Sequence, residues 1–205
     1  MDTPYRREPG YAERYRDRRF SLAHGPRTDR RERAAIRSLL QSAAIPPGIW
    51  LDAPSGAGRL SDELPGSVVR LDRDPQMLLA AGPSAQRVCA TISALPFVNR
   101  SFAGVLCCRL LQHIASAAER RTILCELARV SRGPILISFF DRCSLQHARR
   151  VLRRAMGKTR SGREAIQRRA LLAEVRAAGL QPVRFYAVSR FIAEQTFLLC
   201  SPQPN

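Results

Sequence analysis

The sequence predicts an α/β fold, built on a mostly parallel sheet that is covered by helices on both faces. Short strand-like segments alternate with helical segments from residue 49 onward, which is the pattern of such folds. The strand-like segments are unbroken apolar runs, for example "PILISFF", as expected for strands buried on both faces. The last two strand-like segments lie only a few residues apart, which favours an antiparallel hairpin. The 205 residues suffice for one domain with a sizeable core.

The N-terminal part is expected to be an arm followed by a helix. Residues 1–29 are polar, rich in arginine and poor in aliphatic side chains, so we expect an arm that is at most partly ordered. The segment "TDRRERAAIRSLLQSAAI" has apolar residues at helical spacing, with Thr28 or Asp29 as its cap. The following "IPPG" ends this helix. The folded domain is therefore expected to span residues 30–205.

The other elements follow in order along the chain. The predicted strands are residues 48–53, 67–72, 87–91, 102–108, 134–140, 181–189 and 193–201. Helices are predicted at 74–82, 116–132 and 144–179, the last with a break near Gly157–Gly162. Asp74 is the expected cap of the first of these helices, and Pro75 is its first residue. No internal repeat and no second domain are visible.

The segment "IWLDAPSGAGRL" is the first candidate for a ligand site. A strand ends in Asp52, and a turn with Gly56 and Gly58 follows. These glycines let the backbone approach a ligand, and the start of a helix beyond them offers free N–H groups. An ordinary tight turn between strand and helix explains the pattern equally well. No Gly-Lys-Ser/Thr follows, which excludes a Walker loop.

Asp72 is the second candidate, because it ends the next strand. In α/β folds an acid at this place holds a ribose diol, since a carboxylate accepts from both hydroxyls at once. The alternative role, a helix cap, fits Asp74 better. The loop and the acid together predict a cofactor that contains adenosine.

Four segments carry a resemblance to a known family. "LDAPSGAGR", "VVRLDRDPQML", "ATISALPFVNRSFAGVL" and "CCRLLQHI", in this order and spacing, resemble class I S-adenosylmethionine (SAM)-dependent methyltransferases. The similarity is strongest with small bacterial enzymes related to the ubiquinone/menaquinone-biosynthesis methyltransferases, and it covers about residues 46–201. It implies a single Rossmann-like, doubly wound, seven-stranded mixed sheet of order 3-2-1-4-5-7-6, with strand 7 antiparallel. It also implies SAM as the cofactor.

The resemblance implies a role for individual residues along these segments. The loop residues around the methionine part of SAM would be Asp52, Pro54, Gly56 and Gly58. The remaining cofactor contacts would be Asp72 at the ribose, Arg73 or Met77 beside the adenine, Thr91 at its amino group, Leu95 near the ring, and Arg109 toward the substrate mouth.

The sequence departs from the family pattern at three places. Pro54 replaces the first glycine of the loop, which is tolerable if that position needs only close approach and a negative φ. Thr91 replaces an acid, and its hydroxyl is a weaker acceptor than a carboxylate. Only a few residues separate Gly58 from the second strand, so the helix between them must be short.

Two residues are candidates for a catalytic base. Methyl transfer from a sulfonium is an in-line displacement, so the protein mainly aligns the reacting groups. A base is needed only if the nucleophile holds a proton. His113 and Asp141 both follow strands at the edge where ligands of such sheets bind. Each also has a structural interpretation. His113 can be a core or helix-capping histidine, and Asp141 can be a helix cap.

The net charge of +17 predicts an anionic partner. Residues 142–176 hold 11 of the basic residues against two acids, Glu164 and Glu174. Within them, Arg149, Arg150, Arg153 and Arg154 fall on one helical face, and the other face consists of Leu145, Ala148, Val151, Leu152 and Met156. This segment is either a basic amphipathic lid or a helix packed on the sheet with a solvated basic back.

Three functional hypotheses follow. The first is a methyltransferase that acts on an anionic small molecule or lipid-like acceptor, with contact to an anionic membrane surface. The second is a methyltransferase that acts on RNA or protein, which is less favoured because no RNA-binding module is visible. The third is a binding protein on the same fold without turnover. The sequence does not predict an oligomeric state.

Location and cysteine chemistry are predicted from what the sequence lacks. No apolar run is long enough to span a bilayer, and the N-terminus has no apolar signal region. These features predict a cytoplasmic protein and leave a peripheral position on the inner membrane face open. None of the six cysteines has metal-ligand spacing, so no metal is expected and most thiols are expected to be buried and reduced.

Overall fold

A computed structural model describes residues 25–82, 86–156, 164–188 and 195–203. Residues 1–24 of the predicted arm, the predicted helix break at Gly157–Gly162 and the turn of the predicted hairpin lie outside these residues.

The core of the molecule is one seven-stranded sheet. Its strands are β1 (Trp50–Asp52), β2 (Val68–Asp72), β3 (Gln86–Cys89), β4 (Gly104–Cys107), β5 (Ile135–Phe140), β6 (Leu180–Ala187) and β7 (Gln195–Pro202). Their spatial order is β3-β2-β1-β4-β5-β7-β6. The first five strands run parallel, and β7 lies antiparallel between β5 and β6. The predicted order, including the antiparallel last strand, is confirmed.

Helices connect these strands. They are α1 (Gly25–Leu40), α2 (Pro75–Ala80), α3 (Ala117–Val130), α4 (Leu145–Ala155) and α5 (Arg168–Ala177), with short 3₁₀ turns at Ser61–Glu63 and Leu111–His113. The first 3₁₀ turn takes the place of the short helix expected after the glycine loop. Asp74 caps α2, because its side chain accepts from the backbone N–H of Gln76.

The predicted start of α1 is wrong. This helix begins at Gly25, so Thr28 and Asp29 lie inside its first turns and are not its cap. The Asp29 side chain instead accepts from the guanidinium of Arg33, one turn further along the same helix, at 2.9 Å. An acid in a first turn is compatible with a cap or with an i,i+4 pair, and the partner side chain decides between them.

Apolar clusters cover both faces of the sheet. On one face, Ile123 of α3 and Leu171 of α5 pack on side chains such as Val105. On the other face, Ile36 and Leu39 of α1 pack against strand residues that include Trp50, Leu106 and Phe197. Alternate residues of β1 and β4 therefore belong to different clusters, which explains why these strands are apolar without interruption.

The cysteine prediction holds for half of the thiols. Cys107, Cys108 and Cys200 are buried, whereas Cys89, Cys125 and Cys143 are exposed. All six are free. Among the described residues, no group of three or more His, Cys, Asp or Glu side chains could hold a metal ion. None of the helices in the described ranges is long and apolar enough to cross a membrane.

Candidate active site

A cavity of about 640 Å³ opens at the carboxyl ends of β1, β2 and β4. Nine of the predicted site residues line it, namely Asp52, Pro54, Gly56, Asp72, Arg73, Met77, Thr91, Arg109 and His113. Three do not, namely Gly58, Leu95 and Asp141. The sheet thus brings together residues from four separate segments at one edge, as expected for the ligand site of such a fold.

Asp72 is fixed at the end of β2 by the backbone of two loops. Its carboxylate accepts from the N–H of Gly56 at 2.8 Å and from the N–H of Asp74 at 2.9 Å. Burial raises the pKa of this carboxyl group. A carboxylate has about four lone-pair sites, so two remain for the hydroxyls of a ligand.

Gly56 shapes the cavity beside this carboxylate. Its φ is +54°, and a Cβ atom there would lie 3.2 Å from Cε of Met77. A side chain at Gly56 would therefore strain the backbone and crowd the cavity wall. The glycine acts by leaving this space open next to Asp72.

Pro54 is accommodated because the hydrogen bonds that attach the loop to the sheet are donated by its neighbours. The neighbouring Ala53 donates to the carbonyl of Leu106, and Ser55 donates to the carbonyl of Leu71. These bonds attach the loop to β4 and β2 on either side. The Ala53–Pro54 peptide bond is cis. Proline thus lines the cavity while its neighbours make the backbone bonds.

Asp52 is buried at the base of the cavity. Its carboxyl group accepts from the hydroxyl of Ser61 at 2.6 Å. Burial raises its pKa to about 7, because an ionised carboxylate is poorly stabilised away from water. Asp52 therefore supplies a group whose charge changes near neutral pH.

Gly58 serves the turn and does not line the cavity. Its φ is +72°, and a Cβ atom would lie 2.8 Å from Nε of Arg70. The glycine is needed for this backbone conformation and for the close approach of Arg70.

Leu95 belongs to the core beneath the cavity. Its side chain is buried in the cluster under α3. Its N–H donates to the carboxylate of Glu126 at 2.6 Å, and its carbonyl accepts from the guanidinium of Arg129 at 2.9 Å. Arg129 also donates to the carbonyl of Phe97 at 2.7 Å. The segment after β3 is thus held through its backbone by two side chains of α3.

Asp141 and His113, the two candidate bases, are placed differently. The Asp141 carboxylate accepts from the N–H of Cys143 at 2.9 Å and from Nε of Arg168 at 2.5 Å. These bonds fix the turn before α4, but the interpretation of Asp141 as the helix cap is wrong, because α4 begins at Leu145 and the N–H of His147 donates to the hydroxyl of Ser144. His113 is exposed and lines the cavity, so the interpretation as a core histidine is wrong. Its imidazole lies at the cavity rim, and its role as a base stays a prediction.

Sequence analysis missed the role of Glu32. This fully buried side chain of α1 accepts from Nε of Arg109 at 2.7 Å and from the guanidinium of Arg59 at 2.5 Å. Both arginines line the cavity, and Arg109 has a φ of +60°. Arg59 also pairs with Asp29. The signal was present in the sequence, because Glu32 falls on the apolar side of its helix, three and four residues before the buried Ala35 and Ile36.

Known proteins match a part of this sequence and its fold. Residues 51–134 match the family model of the methyltransferase domain. This part of the chain is a methyltransferase domain. This range contains the glycine loop, Asp72, Thr91 and His113, which are the parts that form the cavity. SAM is the cofactor of this domain.

Solved methyltransferase structures share the complete fold. A SAM-dependent methyltransferase from Clostridium acetobutylicum ATCC 824 is 13% identical, with a TM-score of 0.68 over 95% of this chain and 98% of that one. Magnesium protoporphyrin IX methyltransferase from Synechocystis PCC 6803, solved with bound SAH, is 14% identical, with a TM-score of 0.71 over 95% and 96% of the two chains. At such identities the likeness shows the fold. Among curated proteins, none matches this sequence.

The cavity of this methyltransferase domain fits SAM. Asp72 offers a carboxylate at the ribose position, and Gly56 leaves the loop beside it without a side chain. Met77 and Ile92 give apolar walls for an adenine, with the Thr91 hydroxyl on the same segment. The narrower resemblance to ubiquinone/menaquinone-biosynthesis enzymes stays a prediction.

Proposed function

We propose that this methyltransferase transfers the methyl group of SAM to an anionic small molecule or a lipid-like acceptor. SAM supplies a methyl group already activated by its sulfonium. The chain's own residues then bind and orient the two molecules, since alignment is the main requirement of an in-line displacement. The His113 imidazole, exposed at the cavity rim, takes up the proton of an acceptor that is protonated at working pH.

The observation that carries the anionic acceptor is the position of the basic segment. This segment leaves the sheet at the end of β5, where Asp141 lies. It returns beside the cavity, because the N–H of Glu164 donates to the carbonyl of Gln112 at 2.8 Å and that of Ile166 donates to the carbonyl of Phe140 at 2.7 Å. A strongly positive segment next to the substrate mouth attracts an anionic acceptor. The same charge supports a peripheral position on an anionic membrane face.

Calorimetric titration tests the cofactor part of this proposal. SAM and S-adenosylhomocysteine (SAH) are titrated into the wild type, Asp72→Asn and the control Asp62→Asn, whose carboxylate is largely exposed. We expect Asp72→Asn to weaken binding by ~1–3 kcal/mol, the scale for losing charged hydrogen bonds. Asp62→Asn should bind like the wild type. A folded wild type that binds neither ligand would contradict the proposal and favour a binding protein without turnover.

The acceptor part is tested by turnover. SAH formation is followed with anionic lipids and small carboxylates on one side and with tRNA and protein substrates on the other. We expect the first group to support SAH formation. If tRNA or protein supports it instead, the acceptor proposal is wrong and the alternative methyltransferase hypothesis holds.

A further inference from the structure

Helix α4 turns its apolar side outward. The large apolar side chains of this helix and the residue after it are all about half exposed or more, at 55% for Leu145, 50% for Val151, 61% for Leu152 and 55% for Met156. Ala148, between them, is exposed as well. On the opposite side, His147 and Arg150 are only partly exposed. The less exposed side of the helix thus consists of polar residues, which is the reverse of the usual orientation.

The other long helices of the described chain follow the usual rule. The apolar residues Ile36 and Leu39 of α1 are fully buried, and so are Leu124 of α3 and Leu171 of α5. The outward apolar side of α4 is thus a local exception in a fold that otherwise buries such residues. The exposed residues are three or four positions apart and so lie next to one another on the helix surface. Together, Leu145, Ala148, Val151, Leu152 and Met156 form what we call the α4 apolar face.

The positive charge of the helix that carries this face identifies its occupant. Helix α4 contains Arg149, Arg150, Arg153 and Arg154 and no acidic residue. A second copy of the chain would bring like charges together at the same place. RNA would meet the positive charge but would leave large aliphatic side chains in contact with water. An anionic bilayer meets both requirements, because its headgroups attract arginine and its acyl region takes up apolar side chains.

We propose that α4 docks the methyltransferase on an anionic lipid bilayer through the α4 apolar face. The helix begins five residues after β5 ends, at the edge of the sheet where the cavity opens. Docking through α4 therefore brings the substrate mouth toward the lipid surface. This last step rests on the proposed function, and it narrows the acceptor to a molecule held in or at the bilayer.

Vesicle flotation tests the docking surface. The wild-type protein is floated with vesicles of phosphatidylglycerol and phosphatidylcholine, and with vesicles of phosphatidylcholine alone. We expect binding to the first, weakened by added salt because headgroup attraction is screened, and little binding to the second. Absence of binding to the phosphatidylglycerol vesicles would overturn the proposal, and so would equal binding to both kinds, since charge then has no part in it.

Leu152→Gln and Leu79→Gln form a matched pair for the same assay. Both replace a leucine on an exposed helix surface, and Leu79 of α2 is 70% exposed. Loss of one inserted leucine lowers the vesicle affinity about tenfold, so we expect this loss for Leu152→Gln and wild-type affinity for Leu79→Gln. Equal affinities of the two variants would overturn the assignment of α4 as the docking element.

Calorimetry with SAH separates this proposal from the proposed function. Leu152 does not line the cavity, so Leu152→Gln should bind SAH like the wild type, which also establishes that the variant is folded. Flotation that depends on Leu152 in a protein that binds no SAH would leave the docking surface standing and overturn the methyltransferase proposal. SAH binding by a protein that does not float with the vesicles would overturn the docking surface and leave the methyltransferase proposal standing.

Discussion

Two buried carboxylates at the cavity, Glu32 and Asp52, differ in what neutralises them. Glu32 lies between the guanidinium groups of Arg59 and Arg109, so its negative charge is balanced by paired cations. Asp52 has the Ser61 hydroxyl as its hydrogen-bond partner, and burial moves its pKa to about 7. The first carboxylate positions cavity residues, and the second responds to pH.

Replacing Glu32 should disturb both stability and the cavity. Glu32→Gln removes the buried negative charge that holds Arg59 and Arg109 at the cavity. We expect the free energy of unfolding to fall by about 3 kcal/mol and SAH to bind more weakly. Denaturant unfolding and calorimetry measure the two effects.

Glu63→Gln is the control for Glu32→Gln. Glu63 also accepts from two arginines, Arg33 and Arg37, but Arg37 is mostly exposed and neither arginine lines the cavity. We expect a loss of about 1 kcal/mol at most and unchanged SAH binding. Equal effects of the two variants on SAH affinity would mean that Glu32 has no role in positioning the cavity arginines.

Asp52 should make stability depend on pH. Its pKa rises from 3.8 in the unfolded chain to about 7 on folding, so the folded state binds more protons between these values. The free energy of unfolding therefore falls as pH rises through this window. Asp52→Asn removes this dependence, so between pH 5 and pH 8 it should gain about 2 kcal/mol relative to the wild type.

Unfolding at several pH values measures this difference without ligand. Asp62→Asn, which removes an exposed carboxylate, corrects for the general effect of charge. A constant difference between wild type and Asp52→Asn across the window would show that Asp52 is ionised in the folded protein well below neutral pH.

At the scale of elements, a buried ion pair joins α3 to α5. The guanidinium of Arg120 donates to both carboxylate oxygens of Glu174, at 2.9 and 2.5 Å. It also donates to the carbonyls of Ile114 and Ala115, both at 2.9 Å. These carbonyls directly follow the turn that carries His113. One arginine thus connects two helices and the rim of the cavity.

Breaking this pair should destabilise the fold. Glu174→Gln leaves the buried Arg120 without its counter-charge, and we expect a loss of about 3 kcal/mol in the free energy of unfolding. Glu164→Gln, at an exposed position, should change it by less than about 0.5 kcal/mol. Thermal and denaturant unfolding compare the two. A loss for Glu174→Gln no larger than that of the control would mean that the pair contributes nothing net to stability.

The elements themselves were largely predictable, and their contacts were not. The strands could be predicted from their uninterrupted apolar runs, because a strand that is buried on both faces has no polar positions. The helical pattern of α4 identified which residues share a face, but it could not decide which face meets the protein. Gly58, Leu95 and Asp141 were assigned to the cavity because they lie in the right segments. In the structure, Gly58 lies close to Arg70, Leu95 is held by α3, and Asp141 accepts from Arg168. These partners are distant in the sequence, so the local sequence pattern does not indicate them.

At the scale of the whole molecule, the cavity draws on a large part of the chain. Its lining residues extend from Asp52 to Ile123, and Glu32 of α1 fixes two of them. Because these residues come together only when the sheet is formed, a ligand of the cavity binds the folded state and not the unfolded one. Cofactor binding and global stability are therefore linked.

SAH should stabilise the whole fold accordingly. At a hundredfold excess over its Kd, we expect the free energy of unfolding to rise by about 2.7 kcal/mol. The same SAH concentration should stabilise Asp72→Asn less, because its affinity is lower. Thermal unfolding with and without SAH measures this. Binding by calorimetry without any thermal stabilisation would mean that the cavity can form in a partly unfolded chain.

Helix α3 fixes the backbone of the segment after β3, and different residues of that segment face the cavity. Glu126 and Arg129 hold this segment by the N–H of Leu95 and the carbonyls of Leu95 and Phe97, and not by the side chains of residues 91–93 that face the cavity. These three bonds fix the path of the backbone without using the side chains of residues 91–93. Residues 91–93 are for this reason a place where evolution, or an engineer, can change what the cavity accepts while the chain keeps its course.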